Sequence, residues 1–273
     1  MNKIELSYAS KVEHNFAQRV IIKTIEKITG KKKLQKIYND FSKNNTNPRY
    51  FWRGILEAMD IEVIDNSTEG IKIPPKGPLL MIANHPFGII DGLIMCSLAA
   101  NVRDDFKIIT HETLQFIPEL DKYILPIDFN EKSKITIKNN IETAKKAKEH
   151  LLNNGLLIIF PSGSVSVAKS LKTIATDDAW KQFPAKIIKQ TKTDVLPIYF
   201  DGKNGLLFHL FASKLKNQTL KYSSYIHETK KLIGKNINIF PGKIIKFSQL
   251  KNFEDRLKLT EYLKKKTYEL RDL

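Results

Sequence analysis

His85 and Asp91 are the pair in this chain whose types and spacing suit proton transfer. Histidine is the side chain whose ordinary pKa lies near neutrality, so it takes and returns a proton at physiological pH. A carboxylate on one ring nitrogen fixes the tautomer and stabilises the imidazolium that forms. The other nitrogen is left to accept a proton from an attacking hydroxyl or amine. The same residues also admit a plain structural reading, in which the aspartate caps a helix and the histidine fills a tight loop.

The surrounding elements favour a site. Leu79, Leu80, Met81, Ile82 and Ala83 form an apolar run that reads as a buried strand. Pro86 and Gly88 break it, and the apolar stretch 89–98 then reads as a helix. His85 is thus expected at the strand's end and Asp91 in the helix's first turn, where open α/β sheets collect ligands and chemistry. Two later stretches repeat the pattern. Gly155-Leu156-Leu157-Ile158-Ile159-Phe160 runs into Pro161-Ser162-Gly163-Ser164-Val165-Ser166, and Val195-Leu196-Pro197-Ile198-Tyr199-Phe200 runs into Asp201-Gly202-Lys203-Asn204.

These three blocks, in this order, resemble the glycerolipid (lysophosphatidate-type) acyltransferase family over roughly residues 75–245. The resemblance is greatest to a bacterial branch with NHPxGxxDG, FPxGxVS and PxxFxGxN blocks. That branch contains haemolysin-named proteins and O-acyltransferases of ornithine and related amino-acid lipids. The resemblance implies His85 and Asp91 as catalytic residues. It implies Asn84, Pro86, Phe87, Gly88, Phe160, Pro161, Ser162, Gly163 and Ser164 as the substrate-binding wall, with Asn84, Gly88 and the Gly163 turn as oxyanion donors. It further implies acyl carrier protein or coenzyme A thioester as co-substrate, a lyso-lipid acceptor, and no metal or redox cofactor. The chain departs from the main family at three places. Five residues, not four, separate His85 from Asp91, which fits the branch. Ser162 stands where the third block carries Glu, and Asp128 lies near the place of an Arg that grips phosphate. The last two departures point away from a bare phosphate headgroup and towards a lyso amino-acid lipid or lysophospholipid.

Composition agrees with an enzyme that meets an anionic partner. The 273 residues fit one α/β domain with a modest helical extension, and 42% hydrophobic content is enough for a sizeable core. Lys and Arg number 45 against 29 acidic residues, a net charge of +16. That excess suits an anionic membrane surface, an acidic carrier protein or nucleic acid, and it is also common as plain surface solubility. The single Cys96 excludes an internal disulfide framework, and its place in the apolar helix makes it a core residue. Residues 1–20 lack the apolar core of a secretion signal, and no stretch is long enough to span a bilayer. The expected location is cytoplasmic, peripheral on the inner face of the cell membrane.

The elements complete the expectation. Residues 1–60 read as a basic amphipathic helical region with three apolar stripes. These are Phe16, Val20, Ile21, Ile25 and Ile28; then Leu34, Ile37, Tyr38 and Phe41; then Trp52, Ile55, Leu56 and Met59. Such stripes either lie in a headgroup layer or pack on the core. Residues 61–273 read as the acyltransferase domain, with an edge strand and turn over 61–75. Strands follow at 79–83, 106–110, 123–129, 156–160, 195–200 and 237–240. Helices fall near 90–101, 111–120, 133–153, 178–191, 206–216, 223–233 and 254–270. The fold class is α/β, a mostly parallel sheet flanked by helices, glycerolipid acyltransferase-like, with an N-terminal amphipathic helical extension.

Other chemistries fit less well. Zinc would recruit His85, Asp91, His111 and Glu112, but no HExxH or Cys/His spacing supports it. A serine hydrolase using Ser162 or Ser164 lacks the G-x-S-x-G elbow. A basic nucleic-acid-binding protein explains the charge but not the strand-end blocks, and no helix-turn-helix or RNA-binding signature is present. A lipid-binding relative without turnover is motivated by the missing third-block Glu.

Overall fold

The computed structural model describes residues 30–44, 47, 49–111, 118–127, 134–168, 170, 173–209 and 218–272. The first expected stripe, over 16–28, lies outside them, as do Glu112, Asp128, Phe129 and residues 210–216 of an expected helix.

Seven strands form one sheet: β1 (Glu62–Asp65), β2 (Leu79–Ala83), β3 (Phe106–His111), β4 (Ile124–Ile127), β5 (Leu156–Ile159), β6 (Asp194–Phe200) and β7 (Asn236–Pro241). Their order across the sheet is β1-β7-β6-β2-β5-β3-β4. Every neighbouring pair is parallel except β6 and β7. The helices are α1 (Lys31–Asn44), α2 (Phe51–Ala58), α3 (Ile89–Ala100), α4 (Lys134–Leu152), α5 (Phe183–Thr191), the single turn α6 (Leu206–His209), α7 (Gln218–Lys231), the single turn α8 (Phe247–Leu250) and α9 (Arg256–Glu269).

β2 is central and buried along its whole length, which is why it reads as an unbroken apolar run. Its side chains still alternate. Leu79, Met81 and Ala83 enter one core with residues of α1, α2 and α3, while Leu80 and Ile82 enter the other with residues of α4, α5 and α9. β5 divides in the same way, Leu156 and Ile158 to the first core and Leu157 and Ile159 to the second. Leu34 and Tyr38 of α1 and Phe51, Trp52, Ile55 and Leu56 of α2, with Met59 just beyond it, are all buried in the first core. The second and third apolar stripes therefore pack against the protein itself. Cys96 is buried in the same core.

Several boundaries differ from expectation. α5 begins at Phe183, not near 178, because Pro184 suits a first helical turn and the preceding residues do other work. Tyr123 closes a 3-10 turn, Pro118–Tyr123, and β4 starts only at Ile124. His111 ends β3 instead of opening a helix.

At the edge of the sheet opposite His85, buried Arg103 gathers the chain ends. Its guanidinium forks onto Asp105 at 2.5 and 2.6 Å and donates to the carbonyls of Gly77 at 2.8 Å and Asn154 at 2.6 Å. These acceptors lead into β2, β3 and β5. Replacing the guanidinium leaves the carbonyls without partners, so Arg103→Met should lower the unfolding free energy by about 3 kcal/mol. The check is a fall in the urea midpoint at unchanged slope.

Candidate active site

β2 ends at Ala83, and the next residue locks the edge of the sheet. The Asn84 amide donates to the Phe200 carbonyl at 2.9 Å and accepts from the Phe200 N–H at 2.7 Å. Asn84 is buried. Expected in the substrate-binding wall, it pins the end of β2 to the end of β6.

His85 follows, with 18% of its side chain exposed. Its Nδ1 lies 3.0 Å from Asp91 Oδ2. The same oxygen accepts from the Phe87 N–H at 2.8 Å and the Gly88 N–H at 2.9 Å. Gly88 is the N-cap of α3 and Asp91 its third residue, so the carboxylate reaches back to the N-cap N–H and meets the His85 ring at once. Gly88 sits at φ +83°, a conformation that suits glycine. Asp91 is fully buried, and burial is the largest influence on it, raising its pKa above the ordinary value; the His85 bond and the two backbone donors oppose this. With three N–H groups directed at one oxygen, the carboxylate acts only as acceptor. Oδ2 already accepts from two backbone N–H groups, so Nδ1 is the donor to it, and Nε2 meets no hydrogen-bonding group among the described residues.

The His85 ring stacks on Phe160, centroids 4.0 Å apart at 23°. Phe160 comes from the end of β5, so the first and third blocks meet as ring on ring. Phe87 is buried against Gly202, whose φ of +139° and missing Cβ make room for the phenyl ring. Pro86 is buried beside it. Pro161 is buried too, and its carbonyl accepts from the Lys181 N–H at 2.9 Å.

The serine turn is occupied with itself. The Gly163 N–H donates to the Phe160 carbonyl at 3.0 Å, and Ser162 Oγ donates to the Ser164 carbonyl at 2.7 Å. Ser164 Oγ donates to Asp178 at 3.2 Å. The donors expected to meet an oxyanion, at Asn84, Gly88 and Gly163, are each engaged within the protein. Among the described residues no serine hydroxyl bonds the His85 ring, so the nucleophilic-serine arrangement is not formed. Nor do the described residues hold any group of three or more metal-ligating side chains.

Asp177 is the residue that spacing did not reveal. The chain beyond β5 folds back on itself, Val167 bridging Thr176, and brings Asp177 under the histidine. The His85 N–H donates to Asp177 Oδ1 at 3.2 Å, while the His85 carbonyl accepts from the Ser166 N–H at 2.8 Å. The Ser166 hydroxyl also bonds Asp177 Oδ1, and the Trp180 indole donates to Oδ2 at 2.7 Å. Tyr268 and Lys264 of α9 hold the strap from outside, through the Asp177 N–H at 2.8 Å and carbonyl at 2.9 Å. Burial raises the Asp177 pKa, opposed by Ser166, Trp180 and His85.

A sequence-family model described as Acyltransferase matches residues 7–273. The chain belongs to the glycerolipid (PlsC-like) acyltransferase family. It is 24% identical to the lyso-glycine lipid O-acyltransferase of Bacteroides thetaiotaomicron over 265 residues, covering 94% of this chain and 92% of the relative. Identity to the enzyme of the same name from Phocaeicola vulgatus is 23% over 213 residues, covering 77% and 72% of the two chains. The fold resembles the crystal structure of the 1-acyl-sn-glycerophosphate acyltransferase PlsC from Thermotoga maritima. The TM-score is 0.51 at 15% identity, over 97% of this chain and 85% of that one. This acyltransferase thus carries its family's first and third blocks in direct contact.

Asp177→Asn replaces one acceptor oxygen with a donor that faces donors, and should lower the unfolding free energy by about 2 kcal/mol. The folded protein holds the Asp177 proton more tightly than the unfolded chain. Between the ordinary carboxylate pKa and the raised one it binds more protons, so this contribution to stability falls as pH rises. The stability margin of wild type over Asp177→Asn should therefore narrow with rising pH across that window, as read from urea unfolding.

Proposed function

We propose that this acyltransferase moves a fatty acyl group from an acyl carrier protein or coenzyme A thioester to the hydroxyl of a lyso-lipid, with a lyso amino-acid lipid as the favoured acceptor. The His85–Asp91 pair carries the reading: one ring nitrogen is bonded to a buried carboxylate, and the other has no hydrogen-bond partner among the described residues.

In this mechanism the acceptor hydroxyl binds against Nε2. Its oxygen attacks the thioester carbonyl as its proton passes to His85. The tetrahedral intermediate collapses with cleavage of the C–S bond, and the imidazolium returns its proton to the departing thiolate. The products are an ester and a free thiol. The imidazolium formed between these steps is balanced by Asp91 at Nδ1 and lies near the second buried carboxylate, Asp177. The Phe160 face against the ring limits its rotation and offers a further favourable contact to the cation.

Three observations support the acceptor class. Two relatives aligned over most of this chain are named lyso-glycine lipid O-acyltransferases. Ser162, in the place of the third-block Glu, spends its hydroxyl on the turn. Asp128 stands near the place of the phosphate-gripping Arg. The enzyme is read as peripheral on the inner face of the membrane. No helix among the described residues is long and apolar enough to cross a bilayer, and the net charge of +16 favours an anionic surface.

The test uses purified protein with both thioester donors and a panel of lyso-glycine lipid, lyso-ornithine lipid and lysophosphatidate, with products read by mass spectrometry. Wild type should acylate the amino-acid lipids in preference to lysophosphatidate. His85→Ala should lower kcat/KM by roughly 10³-fold. Asp91→Asn, which spoils the tautomer, should lower kcat by about 10³–10⁴-fold. Turnover that survives His85→Ala overturns the mechanism, and a preference for lysophosphatidate overturns the acceptor class.

A further inference from the structure

Helix α4 begins well beyond the sheet. Thr143 Oγ1 donates to the Pro126 carbonyl at 2.6 Å, which sets Thr143 level with the third residue of β4. The nine residues before it, at about 1.5 Å each, carry the helix roughly 13 Å further out. β4 is linked through β3 and β5 to β2 by parallel pairing, so this is the edge from which the His85 loop also rises.

The projecting end is composed against the usual pattern. The helix buries Thr136, Thr143, Ala147 and Leu151. Its isoleucines lie outside that face, with Ile135 73%, Ile137 47% and Ile141 65% exposed. Exposed Lys134 and Lys138 stand among them. Single exposed apolar residues are ordinary, but three bulky ones within the first two turns of one helix are not. At about 100° per residue, Ile137 and Ile141 fall about 40° apart, while Ile135 lies about 160° from Ile137. One flat protein surface cannot cover both sides of a helix. A layer into which the tip sinks covers them together, and lysines at that depth meet anionic headgroups.

We propose that the projecting end of α4 (134–141) seats this enzyme in the headgroup layer of an anionic bilayer, on the same edge of the sheet as the His85 loop. The proposal rests on the lyso-lipid reading above, since an acceptor bearing one long acyl chain resides in that layer. It places the His85 edge of the sheet against the surface where such an acceptor lies.

The test measures partition of the full chain onto vesicles made of equal parts phosphatidylglycerol and phosphatidylcholine, with pure phosphatidylcholine as control. The combined variant Ile135→Ser, Ile137→Ser, Ile141→Ser should lose at least about tenfold in partition, with an unchanged melting temperature because all three positions are exposed. Lys134→Gln and Lys138→Gln should each cost about fivefold on the anionic vesicles and little on the neutral ones. In an Ile141→Trp variant the added emission should be quenched by bromine-labelled lipid, while both native tryptophans are buried. Wild-type partition in the serine variant, or emission that bromine-labelled lipid leaves untouched, overturns the proposal. So does intact vesicle binding with a lost self-association, or a defect seen only with the carrier-protein donor; those results assign the surface to a second copy or to the carrier. Partition is read without turnover. Loss of partition in a protein that acylates no acceptor would therefore leave the membrane seat standing and fail the lyso-lipid reading instead.

Discussion

One carboxylate oxygen, Asp91 Oδ2, holds the first block together. Two of its three donors are backbone N–H groups at the start of α3, and the third is the His85 ring. The helix end supplies partial positive charge to a buried anion, and the anion supplies an acceptor to N–H groups that would otherwise lack one. Burial works against the charge, raising the Asp91 pKa, and the three donors work for it. A helix-capping aspartate and a histidine-orienting aspartate are usually alternative explanations of one residue. Here a single atom meets both the helix end and the imidazole, because Gly88 turns the chain so that the two face the same oxygen.

The histidine's backbone is fixed just as firmly as its ring. Asp177 accepts its N–H and the Ser166 N–H meets its carbonyl, so the strap after β5 clasps residue 85 on both sides. Asn84 ties the preceding residue to β6. Loops that carry chemistry are ordinarily the mobile parts of a fold. This one is tied to β6, the β5 strap and, through Tyr268 and Lys264, to the last helix. Ser162 and Ser166 spend their hydroxyls on the turn and on Asp177.

Burial on the two faces of the sheet also divides the surface. α1 and α2 spend their apolar stripes on the first core. α4 does the reverse, packing threonine and alanine inward and leaving isoleucine exposed at its N-terminal end. The stripes of α1 and α2 recur at helical spacing on one face, whereas Ile135 and Ile137 of α4 lie on opposite flanks of its buried face. What lies opposite each helix depends on where the sheet edge ends.

The sequence by itself determined a good deal. Five consecutive apolar residues before Asn84 specified a strand covered on both faces, because only such a strand hides every side chain. Pro86 and Gly88 specified where it stops, and the three strand-end blocks, in order, carried the family and its fold. Local chemistry sufficed because each signal lies within a dozen residues. Only the tertiary structure decided what those blocks touch. Asp177 lies 92 residues from His85, and Phe200 lies 116 from Asn84. Their meeting is set by the insertion of β5 and β6 on either side of β2, which no local pattern encodes. The same limit governed the stripes and α4: periodicity says that a helix has an apolar face, and only the packed chain says whether protein or something else is there to cover it.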